Sequence, residues 1–204
     1  LGSGSLKTLV AWQGIISVGT LLAPISLGSE AGLSAALFYM LSTTWTVGGL
    51  FLVSELIANQ RGSANDRIIT APRMHNRTFL SVLFLIGAVA AAGLPPLSGF
   101  IGKLLILQSV EPGFEMAWLW SVLLVGSFLT IIAYSRAGSI VFWRTVDGHL
   151  EKPDPLNGRI SVAAGALTAL AIVLVVFAGP ITRYTDATAE QPHNNNAYIE
   201  ILQM

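Results

Sequence analysis

The residue best placed to do chemistry is Lys103, a lone cation inside a long apolar stretch, two turns beyond the pair Pro95-Pro96. A lysine within a membrane span costs about 2.5–3.5 kcal/mol on insertion scales, so it faces a bundle interior and has a task there. Apolar surroundings disfavour an ammonium relative to an amine, and a lysine that passes between the two forms can load and release a proton. The competing reading is a lysine that snorkels to the interface. Seven further uncharged residues, 104–110, separate it from the helix end and favour the first reading. Each proline removes a backbone donor and clashes with the preceding turn, so Pro95 and Pro96 break the helix beside the lysine. Lipid cannot satisfy the freed backbone groups, which must face protein or water.

Other polar residues are weaker candidates. Lys7 stands at the mouth of the first apolar run and reads as an interfacial anchor or as a functional cation. Glu55 follows 24 uncharged residues, about one turn inside the membrane, where it is either an anchor or a carboxylate that tunes a neighbouring lysine. Ser42, Thr43, Thr44 and Thr46 form a hydroxyl patch in the second run. Such hydroxyls satisfy carbonyls one turn back, which makes the patch structural. The small residues 87–93, with Gly99 and Gly102 on the second half-helix, read as a close-packing seam. Gly4-Ser5-Leu6-Lys7-Thr8 lacks the glycine that a phosphate loop needs before its lysine. Asn76-Arg77-Thr78 matches a glycosylation sequon on the face expected to be cytoplasmic. His75, His149 and His193 are scattered without ligand spacing, so neither a metal nor a cofactor is expected.

These residues must be positioned by membrane helices. Of 204 residues, 53% are hydrophobic and 11% charged, with mean hydropathy +0.67. Soluble domains carry about 25% charged residues, so this chain could not cover a soluble surface. There is no cysteine, and a net charge of zero gives no field for nucleic acid. Five uncharged runs of at least 20 residues place crossings at about 8–29, 31–57, 78–110, 116–143 and 160–182. The third is one crossing broken at Pro95-Pro96. The fold class is therefore all-α, a polytopic bundle occupying residues 1–182. Residues 183–204 read as a loose tail, with 198–202 a short interfacial anchor. The chain starts Leu-Gly-Ser-Gly-Ser and is expected to be a piece of a longer protein.

Orientation follows from the connections. Nine of the eleven basic residues lie at one end of the crossings, Arg183 lies at the other, and Lys103 lies between. The basic side should be cytoplasmic, which puts the C-terminus outside.

Several segments carry a resemblance. Gly93-Leu-Pro-Pro-Leu-Ser-Gly-Phe-Ile-Gly-Lys103-Leu-Leu-Ile-Leu resembles the signature of the proton-translocating antiporter-like subunits found in respiratory complex I, related hydrogenases and multisubunit monovalent cation/proton antiporters. Leu6-Lys7-Thr-Leu-Val-Ala-Trp is similar to that superfamily's helix entry, and residues 39–57 to the helix after it. Tyr134-Ser-Arg-Ala-Gly-Ser, Val141-Phe-Trp-Arg and the stretch from Val176 to Ala189 resemble the D-type component of the Mrp/Pha-type antiporters. The resemblance implies the last third of a fourteen-helix subunit, with Lys103 the lysine of the second repeat's broken helix and Lys7 the helix-entry lysine. It also sets Ser42 where relatives place a histidine, so a relay from Lys7 to Lys103 would lose a titratable step there. The implied protein is a transporter subunit rather than an enzyme, multi-pass in a bacterial inner membrane. Its implied partners are the other subunits of a hetero-oligomeric complex, the bilayer, protons and Na+ or K+. The alternative is a proton-pumping membrane-arm subunit of an NADH:quinone oxidoreductase or membrane hydrogenase.

Overall fold

The computed structural model describes residues 2–146 and 156–193. Among these residues seven helices follow in order: α1 (Leu6–Ser26), α2 (Glu30–Gln60), α3 (Arg77–Ala92), α4 (Ser98–Gln108), α5 (Phe114–Gly138, continued by a π turn over Ser139–Trp143), α6 (Gly158–Val176) and α7 (Ala178–Glu190). Four are long and apolar enough to cross a membrane: α1, α2, α5 with its π turn, and α6. The shorter apolar helices α3 and α4 supply the broken element.

Local chemistry sets the ends. Ser5 caps α1 by accepting the Thr8 N–H at 3.2 Å, and Ser29 caps α2 through the Gly32 N–H at 3.0 Å. Asn157 Oδ1 accepts the Arg159 N–H at 3.1 Å at the start of α6. Each cap satisfies an amide that the helix cannot. Helix α2 is central, and its buried face holds Phe38, Leu50, Leu56 and Ile57. Leu6 and Val10 of α1, Leu80 and Phe84 of α3, and Phe142 join the last three in one core. Helix α5 instead exposes Trp118, Val122, Val125 and Phe128. An apolar surface of that extent is expected against lipid or another helix.

The tail begins differently from expectation. Helix α6 ends at Val176, and residues 183–190, expected to open a loose tail, lie in α7, which runs to Glu190. Pro180 sits in the first turn, where a proline costs the helix nothing. Thr185 and Ala189 are buried. Ser34 Oγ donates to Thr185 Oγ1 at 2.9 Å and also bonds Asp186, tying α7 to the first turns of α2. Charge alone marked Arg183 as a boundary, whereas this helix continues through its charged residues. The 198–202 anchor and His149 fall outside the described residues.

A second unexpected element is Arg61. It is only 1% exposed, although it belongs to the basic loop after α2. Its guanidinium donates to the carbonyls of Asn65, Arg67 and Ile69 and folds residues 62–69 around itself. That loop also meets the start of α1, where the Leu6 N–H bonds Asp66 O at 2.9 Å and the Ile68 N–H bonds Gly4 O at 2.9 Å. An unmade buried hydrogen bond costs about 1–3 kcal/mol. Arg61→Met is therefore expected to open the loop, seen as faster proteolysis between 62 and 76 in the membrane-embedded complex. Arg61→Lys should rescue little, because one ammonium cannot reproduce the planar fork. Wild-type cleavage in Arg61→Met would refute the clamp.

Candidate functional site

The site grows from the break between α3 and α4. Helix α3 ends on Gly93, which adopts φ +77° and donates its N–H to Val89 O and Ala90 O, each at 3.1 Å. Glycine accepts that left-handed conformation without a Cβ penalty. The carbonyls of Ala91 and Ala92 are then left without helical donors, at the negative end of the helix dipole. Lys103, in the second turn of α4, fills that gap. Its Nζ donates to Ala92 O at 2.9 Å, Ala91 O at 3.3 Å and Ser127 Oγ of α5 at 2.8 Å. The side chain reaches back to the break, not toward the end of α4, and the residue is 8% exposed.

Close approach makes this possible. A Cβ on Gly93 would lie 2.6 Å from Lys103 Cδ, and one on Gly102 would lie 2.9 Å from Tyr39 Cδ2. At Gly99 it would overlap Ala90 O, so α4 starts in backbone contact with the end of α3. Pro95 and Pro96 form the turn between the two helices.

The three acceptors differ chemically. Two are carbonyls, which only accept; Ser127 is a hydroxyl and can also donate. An ammonium uses all three. A neutral amine retains two N–H bonds and can accept the Ser127 O–H with its lone pair. Deprotonation therefore reverses the direction of one hydrogen bond through a hydroxyl rotation and needs no rearrangement of helices.

The other expected residues fall elsewhere. Lys7 pairs with Glu55, Nζ to Oε2 2.7 Å, both side chains about two-fifths exposed at 44% and 39%. The lysine that Glu55 neighbours is thus Lys7. Asp66 fixes this end of α1, its Oδ2 accepting the Lys7 N–H at 3.1 Å. Ser42 donates to Ser98 Oγ at 2.9 Å, at the opposite end of α4's first turns from Lys103. Thr46 returns to the Ser42 carbonyl at 2.8 Å, as a structural hydroxyl does. Among the described residues no hydrogen bond joins the Lys7–Glu55 pair or the Ser42–Ser98 pair to Lys103. No three His, Asp or Glu residues converge as metal ligands would among those residues.

One residue went unnoticed in the sequence. Gln13 of α1 is 3% exposed, and its Nε2 donates to Ala91 O at 3.3 Å, the same oxygen that Lys103 uses. Its Oε1 lies 3.3 Å from Thr130 Oγ1 of α5, whose hydroxyl also donates to Gly126 O at 2.8 Å. Its only sequence signal is that of the sole carboxamide in the first apolar run.

A transmembrane family model described as NADH:quinone oxidoreductase/Mrp antiporter matches residues 1–133. The chain belongs to that family. Similar relatives come from both branches of it. The D component of a probable K(+)/H(+) antiporter from Rhizobium meliloti is 31% identical over 93% of this chain and 40% of its own length. The N component of the NADH-quinone oxidoreductase of Hirschia baltica is 28% identical over 89% of this chain and 38% of its own. Among solved structures, the Mrp complex of Dietzia superposes with TM-score 0.78 at 19% identity, over 98% of this chain and 45% of the matched one. Respiratory complex I of Thermus thermophilus gives TM-score 0.68 at 26% identity, over 93% and 39%. The chain spans about two-fifths of the length of the relatives it matches. It is an antiporter-like membrane part, related to subunits of multisubunit complexes.

Proposed function

We propose that this chain forms the C-terminal membrane part of a D-type component in a monovalent cation/proton antiporter complex, with Lys103 carrying protons at mid-membrane. The observation that carries the reading is the Lys103 cradle: two carbonyls and one reversible hydroxyl around a buried amine. A lysine placed only to anchor a helix would extend toward an interface. Exchange of Na+ or K+ is a property of the assembled complex in a bacterial cytoplasmic membrane, with the basic loops inside and α7 outside. The motifs after residue 133 and the Rhizobium meliloti relative favour this over the second reading, a redox-driven subunit, which the oxidoreductase relatives support.

The test is proton exchange driven by Na+ or K+ in vesicles that hold the full complex. Lys103→Ala is expected to lower exchange roughly a hundredfold, the scale of a lost proton-transfer group. Unchanged exchange would remove Lys103 from the path. Proton movement that requires NADH would favour the second reading.

A further inference from the structure

We propose that Gln13, with Thr130, is a positioning residue that holds the water through which Lys103 exchanges its proton, at the end of a cleft between α1 and α5. The proposal rests on Lys103 as the proton carrier and names the side from which that carrier is reached.

Three observations converge. First, Gln13 Nε2 and Lys103 Nζ both donate to Ala91 O at 3.3 Å, while the Lys103 bonds to Ala92 O and Ser127 are 2.9 and 2.8 Å. The longest of the lysine's three bonds therefore ends on a shared acceptor, and that hydrogen has the partner most easily exchanged for water. Second, the Gln13 amide is held on both sides, by Thr130 at 3.3 Å and Ser17 Oγ at 3.5 Å, and Tyr39 OH donates to Ser17 at 3.4 Å. Third, a cleft of about 570 Å³ runs between α1 and α5 from Gly4 and Thr8 to Gln13 and Thr130. Tyr134, buried to 3% exposure, also lines it. Gly4 abuts the 62–69 loop through the Ile68 N–H, so the cleft begins at the basic end of α1.

Proton transfer through this site is balanced. The ammonium passes one proton to a water oxygen held by Gln13 and Thr130, and the proton leaves along the cleft as hydronium. The amine then turns about its Cε–Nζ bond, returning an N–H to Ala91 O and presenting its lone pair to the Ser127 O–H. Gln13 neither gains nor loses a proton; it fixes the water.

Little else that titrates faces the lysine among the described residues. Tyr39 of α2 packs against Gly102, next to it in α4, and Tyr134 lies on α5. The apolar parts of α1, α3, α4 and α6 carry no other ionisable side chain. Glu115 and Arg136 lie toward the ends of α5, and Arg183, Tyr184, Asp186 and Glu190 lie on α7 against the first turns of α2.

A nearly isosteric carboxylate at residue 13 tests the assignment. In the full complex in vesicles, Gln13→Glu is expected to move the pH profile of cation-driven exchange by about one unit to the alkaline side, since an adjacent carboxylate favours the protonated lysine. Gln13→Leu should lower exchange roughly tenfold without moving cation affinity, because water loses its anchor. A residue that merely packs α1 against α5 would change yield and leave the pH profile in place. If Gln13→Leu does not assemble, Gln13→Glu decides alone. Superimposable profiles for Gln13→Glu and wild type, while Lys103→Ala abolishes exchange, would overturn the Gln13 role and leave Lys103 standing. Full exchange in Lys103→Ala would overturn both.

Discussion

Lys103→Arg is expected to lower proton exchange roughly a hundredfold while the complex still assembles, although the positive charge is kept. The guanidinium can satisfy the Ala91 and Ala92 carbonyls as well as an ammonium does, and it suits the negative end of α3. It cannot give up its proton at any physiological pH. The hydroxyl switch at Ser127, which accepts from Lys103 at 2.8 Å, then has nothing to donate to. Charge neutralisation and proton carriage, inseparable in an alanine variant, are thereby separated. A lysine that only capped the broken helix would be replaced by arginine with exchange close to wild type, and that result would end the proton-carrier reading. Arginine is bulkier, and the lysine stem passes within contact of Gly93, so Lys103→Gln provides a second arm. Its amide keeps two donors, is shorter and does not titrate; exchange should fall as far. Full exchange in either assembled variant has the same meaning. Ion exchange by reconstituted vesicles, normalised to complex content, is the measurement.

Much of this site was legible because its signals are local in the chain. A charge in an apolar run and a proline pair eight residues earlier need no tertiary knowledge to be read as a cation beside a broken helix. The five-crossing plan came from the length of uncharged runs, which depends only on bilayer thickness. Gln13 was illegible for the opposite reason. Its partners Ala91 and Thr130 are 78 and 117 residues away, and an amide adds no charge to reveal it. Ser42 was legible only in part. Its hydroxyl does find a polar partner on the broken helix, but that partner is Ser98, at the start of α4. A position in an alignment cannot say which turn of a neighbouring helix it meets. Arg61 and α7 escaped because charge was taken as a marker of solvent and of boundaries. Arg61 is buried among carbonyls, and α7 packs through Thr185 while carrying Arg183 and Asp186.

Gly99→Ala tests whether the backbone contact or the lysine itself organises the break. The added methyl would overlap Ala90 O and stand 3.0 Å from Ala90 C, both backbone atoms that cannot swing aside as a side-chain tip does. Relief requires α4 to move away from α3. Ala90 O also accepts the Gly93 N–H at 3.1 Å, so the strain acts on the cap that leaves Ala91 and Ala92 facing Lys103. One methyl is therefore expected to cost about 3 kcal/mol, the upper end for overpacking. It should also lower exchange, because the acceptors move with the helix end. Gly165→Ala is the matched control, with no atom within 4 Å of its added Cβ. Thermal unfolding of the detergent-solubilised complex and exchange in vesicles should fall together for Gly99→Ala, and neither should fall for Gly165→Ala. If Gly99→Ala unfolds with wild type, α4 has room to retreat and the cradle does not depend on that contact. If stability falls while exchange per folded complex is retained, Lys103 finds its acceptors without the close approach. The loss of both, at a residue that bears no side chain and no charge, would tie proton carriage to the geometry of the break.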